Sequence, residues 1–139
     1  MKRTEKAIAF VVYDTDRKKV LAVKRPEEDE LAGVWGLPAA SLKDGEAWED
    51  AVIRAGKEKL GVRLEIKGML NEGRLERQDY ILYMKLYEAR IAKGKPEVPQ
   101  PFAGTQYVAW KWAKPEELEY SASKGSLCSR LFLGKIGMR

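Results

Sequence analysis

Apolar residues in this chain fall into short runs separated by charged or turn-forming clusters, and the period of each run predicts its element. Ala7–Tyr13 is a continuous apolar run ended by Asp14-Thr15-Asp16. Its length suits a buried strand, and the aspartates suit a turn because their side chains bond nearby backbone amides. Val20–Lys24 reads as a second strand that pairs back on the first as a hairpin. Pro26–Gly36 is a charged loop broken by Gly33 and Gly36. A helix is expected from an N-cap at Asp44 to about Leu60. Glu46, Glu49 and Asp50 place negative charge in its first turn, where the helix dipole favours it. Gly61 is the expected left-handed stop.

Beyond the helix the period returns to two. Val62, Leu64 and Ile66 alternate as a strand. Tyr80–Ile91 is a longer strand with Leu82, Met84 and Leu86 on one side and Ile81, Tyr83 and Tyr87 on the other. Apolar residues on both sides predict a central strand with covering layers. Lys95–Gly104 is a loop holding Pro96, Pro99 and Pro101, and Val108, Trp110 and Trp112 mark a last strand. Pro115 opens a short helix over Glu116–Leu118, where its missing N–H costs nothing. Leu127, Leu131, Phe132 and Ile136 form the apolar stripe of a C-terminal helix. No repeat or internal boundary interrupts this order, so residues 1–139 read as one domain of α/β (α+β) class. The expected architecture is a mixed sheet with helices on its faces.

Composition narrows the chemistry more than the fold. The longest apolar run is far too short to span a membrane, and no membrane partner is expected. One cysteine, Cys128, excludes an internal disulfide and suits a reducing, cytoplasmic setting; it falls in an apolar helical pattern and reads as buried. The chain has no histidine, which removes imidazole bases, His-containing triads and His-ligated zinc together. A net charge of +5 favours anionic partners. Nucleic acid is disfavoured among them, because no basic stripe is interleaved with aromatics.

The chemistry concentrates in Gly45–Val62, GEAWEDAVIRAGKEKLGV. Glu46 is followed eight residues on by Arg54, then by Glu58, Gly61 and Val62. This spacing resembles the signature of the Nudix hydrolases, G-x5-E-x7-R-E-U-x-E-E-x-G-U, with U a bulky aliphatic. Ala40, Ala55, Gly56 and Lys59 stand where that pattern has glycine, glutamate, an aliphatic and glutamate. VKRP at 23–26, VWGLPA at 34–39 and YVAWKWAKPEEL at 107–118 extend the resemblance over almost the whole chain. The resemblance implies a Nudix fold, a MutT-like mixed β-sheet sandwiched between α-helices. It also implies hydrolysis of a diphosphate linkage in a nucleotide or nucleotide-sugar ligand, with Mg2+ or Mn2+ as cofactor. Homodimerisation, common among such proteins, stays open.

In that family the glutamates at the positions of 55, 58 and 59 share one helix face beside the phosphates. Here the set reads Ala55, Glu58, Lys59. Loss of a positioned base is worth about 10²–10⁴ in rate. An ammonium at 59 would repel a cation by roughly 4 kcal/mol per unit charge at about 4 Å and an effective dielectric of about 20. Glu58 is then the one expected metal ligand, with Glu46 and Arg54 as its companions in the catalytic set. The Glu46–Arg54 relation is expected to tie loop to helix whether or not the protein turns over. Glu46, Asp50, Arg54 and Glu58 step by four, an ion-pair ladder. Glu76, Asp79, Glu97 and Gln106 read as solvated surface rather than replacement ligands. Lys59 and Arg25 are the expected phosphate contacts; Trp35, Phe102 and Tyr107 are candidate stacking residues, with core packing as the favoured reading of each. At Gly56 the missing side chain is expected to be replaced by a neighbour, a tryptophan or methionine, rather than to open a pocket. Three functions follow: a nucleotide binder with impaired metal-dependent hydrolysis and no cofactor needed, an active hydrolase with a rewired metal site, and a non-catalytic interaction module.

Overall fold

In the computed structural model, residues 2–26, 33–101 and 106–139 are described, and their strands form two sheets. The larger has the order β4-β1-β6-β5, with β1 at Arg3–Val11, β4 at Ala39–Ser41, β5 at Arg63–Glu76 and β6 at Tyr80–Lys93. It is mixed: β6 runs parallel to β1 and antiparallel to β5. The smaller sheet is antiparallel, with β2 (Val20–Lys24) between β3 (Trp35–Gly36) and β7 (Ala109–Ala113).

The expected hairpin forms only at its turn. Asp14 accepts from the Lys18 and Lys19 amides, and Tyr13 bridges Val20. β1 and β2 then part into different sheets, because β1 takes the parallel partner β6 while β2 takes β7. The strand expected over Val62–Ile66 runs on to Glu76, so Glu76 ends one long strand rather than beginning the next. Register shifts at three places along β5 let it curve while pairing with β6. β6 is central, as its two apolar sides predict.

Alternation sends side chains to two cores. Ile8, Phe10, Val12, Leu21 and Val23 pack with Ala51, Val52, Ala55 and Leu60 of the helical segment α1 (Trp48–Ala55) and its continuation Gly56–Leu60. Ala7, Ala9, Val11, Val20 and Ala22 pack with the C-terminal helices α2 (Glu119–Ser123) and α3 (Leu127–Lys135) through Ala122, Cys128 and Phe132. The sheets thus lie between helices on both faces. Cys128 is buried, as its pattern predicts. Ile136 is not part of the buried stripe: α3 ends at Lys135 and Ile136 is 38% exposed.

The helix carrying the motif departs from expectation at both ends. It begins at Trp48, with Ala47 as the N-cap and no side-chain cap, so Asp44 does not start it. Its last turn, Gly56–Leu60, widens to π-type hydrogen bonding before Gly61 stops it at φ 70°. Gly56 lies at the join. A Cβ there would meet Leu64 Cδ1 and Cγ at 2.6 Å. Leu64 of β5 therefore fills the space of the signature's aliphatic side chain. The filler is a leucine from the following strand, not the expected tryptophan or methionine, and no pocket opens.

Candidate functional site

Arg54 organises the start of the site. Its Nε donates to Glu46 Oε2 at 2.8 Å and its Nη2 to Glu46 Oε1 at 3.0 Å, a two-point clasp. Nη2 also donates to the Ser41 carbonyl at 2.8 Å, which ties β4 to the helix. Glu46 accepts the Lys43 backbone N–H at 3.0 Å, closing the loop between them. The hydrogen bond from Arg54 holds the Glu46 carboxyl below its ordinary pKa, and the same bond raises that of Arg54. Of the expected four-step ladder the Arg54–Glu58 step forms, and the clasp takes the place of the steps through Asp50. Glu46 precedes the helix, and Arg54 reaches back eight residues to it rather than four to Asp50.

Glu58 is drawn into the same network. Arg54 Nη1 donates to Glu58 Oε2 at 3.0 Å, and Lys43 Nζ stands 3.9 Å from Glu58 Oε1. Both carboxylate oxygens thus face cations. Position 55 lies elsewhere: Ala55 is 0% exposed and packs in the core beneath the helix. The three positions do not present one open face, because 55 turns inward while Glu58 and Lys59 stay half-buried after the widened turn.

Magnesium takes a hard oxygen shell and wants carboxylates free to serve it. Among the described residues, no three His, Cys, Asp or Glu side chains come together as a metal-holding group. With Ala55 buried, Lys59 cationic and Glu58 facing two cations, the described residues do not fit a magnesium shell.

Lys59 has the opposite surroundings to Arg54. Burial lowers its pKa, nearby Glu58 opposes that, and Arg25 and Arg54 push it further down. Its Nζ lies 5.8 Å from the centre of the Tyr107 ring. Arg25 follows β2, whose Leu21 and Val23 face the α1 side, and its charge is felt at Lys59. The charge of Arg25 thus lies near enough to act on that of Lys59.

The candidate stacking residues do not join them. Trp35 pairs with Lys24 in register, packs against the α2–α3 core, and has Lys111 Nζ 4.5 Å from its ring centre. It lies on the far face of the small sheet from Arg25 and Lys59. Tyr107 is buried, and its hydroxyl accepts from the Ala39 N–H at 2.9 Å and donates to the Ala39 carbonyl at 3.1 Å. It pins β4 and offers no open face. Phe102 lies outside the described residues. The aromatics on the α1 side are instead Trp110 and Trp112, in register with Val23 and Leu21 and packed edge to face at 5.9 Å. Their alternation along the last strand carried that signal, but only pairing with β2 gives its side. Lys43, the second cation at Glu58, has no sequence signal beyond its charge. Of the acids read as surface, Glu76 pairs with Lys2, and Glu97 is exposed with its N–H on the Leu60 carbonyl.

Residues 3–131 match the family model described as NUDIX domain. The CTP pyrophosphohydrolase of Escherichia coli (strain K12) is 23% identical over 121 residues, 86% of this chain and 83% of that protein. Among solved structures, a MutT NUDIX hydrolase from Burkholderia pseudomallei superposes with a TM-score of 0.71 at 24% identity, over 83% of this chain and 86% of that one. A NUDIX hydrolase from Nitrosomonas europaea gives 0.70 at 15% identity, over 87% and 79%. These superpositions establish the shared fold.

Proposed function

Because this chain belongs to the NUDIX domain family, we propose that it binds a nucleoside diphosphate derivative through Lys59 and Arg25, and that its metal-dependent hydrolysis is impaired. Members of the family are hydrolases of small nucleotide compounds and typically work with a divalent metal. One observation carries the departure here: the carboxylate of Glu58 meets Arg54 Nη1 at 3.0 Å and Lys43 Nζ at 3.9 Å, with Lys59 next in sequence. A diphosphate brings two to three negative charges, and the ammonium and guanidinium supply the counter-charge a metal would otherwise bring. Arg25 can address two oxygens at once, while Lys59 acts as a compact point charge. Burial lowers the pKa of Lys59, and an arriving phosphate would favour its charged form.

The test is calorimetric titration of nucleoside diphosphates in EDTA. Binding is expected without metal, and Lys59→Ala is expected to weaken it about 10- to 100-fold, the worth of one charge-assisted hydrogen bond. Equal affinity in that variant, or binding that requires magnesium, would overturn the reading.

The relative named CTP pyrophosphohydrolase supports a second reading, an active hydrolase whose metal is held by other acids. Residues 27–30, Glu-Glu-Asp-Glu, follow Arg25 closely in sequence and lie outside the described residues. Magnesium- or manganese-dependent phosphate release from a nucleotide panel, abolished by Glu58→Gln, would select this reading.

A further inference from the structure

A second cation cluster lies on the other side of the motif helix. A cavity of about 660 Å³ is lined by Ile53, Lys57, Val62, Arg63, Lys93 and Gly94, among others. That volume is within the range of small-molecule sites, roughly 300–1,000 Å³. Lys57 is two residues from Lys59, and side chains at that separation on a helix do not face each other. Neither Lys59 nor Arg25 lines the cavity, which is therefore distinct from the binding site proposed above.

Three cations come to it from three elements: Lys57 from the widened turn, Arg63 from the start of β5 and Lys93 from the end of β6. Among the described residues, no carboxylate lines it. The nearest acid along β5, Glu65, is held by Arg90 through bonds of 2.9 and 2.8 Å. Arg63 and Lys93 are direct register partners in the antiparallel ladder. Like charges in that position repel and weaken the pairing. Elsewhere opposed ionic partners are matched, as with Glu65 and Arg90. Arg63 and Lys93 are both exposed, and an anion bound between them would offset their repulsion.

The remaining lining fixes the kind of anion. Val62 is buried beneath the cavity and Ile53, 37% exposed, stands at its edge. Among the described residues, no Trp, Tyr or Phe lines it to give a base a platform to stack on. Gly94, at φ 98°, packs so closely on Gly61 and Val62 that a Cβ would meet the Gly61 carbonyl at 3.1 Å, which keeps this wall free of side chain. We propose that this cavity is a second binding site, for a phosphate-bearing small molecule with an aliphatic rather than aromatic body. Arg63 would clasp two phosphate oxygens, Lys57 and Lys93 would add charge from either side, and the aliphatic part would cover Ile53 and Val62.

The probes are inorganic phosphate and n-butyl phosphate, titrated into isotope-labelled full-length protein at constant ionic strength. Saturable NMR shifts are expected at Ile53, Arg63, Lys93 and Gly94. Butyl phosphate should bind about fivefold or more tighter than phosphate, because each methylene it buries adds affinity. Arg63→Gln and Lys93→Gln should each abolish the shifts while the melting temperature holds or rises and nucleoside diphosphate binding is unchanged. Shifts that scale only with salt, equal affinity for the two probes, or shifts retained in both variants would overturn the proposal. Loss of diphosphate binding in Lys59→Ala with this site intact would separate the two readings.

Discussion

Arg54 and Lys59 stand five residues apart on one helical segment, and their environments are opposite. Arg54 is wrapped by Glu46, Glu58 and the Ser41 carbonyl, and the two carboxylates raise its pKa. Lys59 is half-buried, and burial lowers its pKa against the pull of Glu58. The contrast shows that the motif consists of two separable parts. One is a fastener joining loop, strand and helix; the other is the Glu58–Lys59 turn. The fastener is intact here. At the other part, a lysine follows Glu58 where the family pattern has a second glutamate.

The largest expected effect follows from breaking the fastener. Arg54→Ala leaves two partly buried carboxylates and a backbone carbonyl without their donor. Urea unfolding should show a loss of about 2–3 kcal/mol. A loss below about 0.5 kcal/mol would mean the clasp is ornamental and the two parts are not distinct.

Next comes the join between the parts. Gly56→Leu, which restores the signature's aliphatic residue, should destabilise by about 1–3 kcal/mol, because the new side chain overlaps Leu64. The double variant with Leu64→Ala should recover part of the loss. An unchanged melting temperature for the single variant would refute the packing account.

A smaller effect is expected in the acid limb. The Glu46 carboxyl has its pKa lowered from 4.5 by Arg54. Its contribution is complete above about pH 4.5 and is lost as pH falls through the lower folded value. Glu46→Gln should flatten the stability profile in that window and leave the neutral-to-alkaline part parallel to that of the parent protein.

Lys59 should give the smallest stability effect, and one of opposite sign. Its pKa is lowered from 10.5 in the fold. The penalty for its charge is full at neutral pH and fades as pH rises from the folded value through 10.5. Lys59→Met should therefore stabilise slightly at pH 7, by less than about 1 kcal/mol, and should not differ from the parent above pH 11. Destabilisation at pH 7 would make Lys59 part of the fastener.

Much of this was legible in the residues. The period-two strands, the central β6, the glycine stop at Gly61 and the near full-length resemblance gave the fold class. The Glu46–Arg54 spacing gave the fastener, whose two-point clasp the structure contains. What failed depended on partners distant in sequence. Nothing in Ala7–Lys24 says that β1 chooses β6 over β2. Trp35 and Trp110 look alike as stacking candidates, and only the register of β3 and β7 against β2 puts them on opposite faces. Helix starts suffered for a related reason. Asp44 is a good capping residue, but Glu46 uses the Lys43 amide and Arg54, and the chain enters the helix only at Trp48.

The buried position of Ala55 and the close approach of Leu64 to Gly56 also bear on history. A glutamate at 55 alone would be forced into apolar surroundings. An aliphatic at 56 alone would collide with the following strand. At these two positions a single step back toward the full motif thus crosses a less stable protein, while compensating changes must arrive in neighbouring elements first. There the core behaves like a one-way gate: the small residues are accommodated, and return by one replacement at a time is barred by packing.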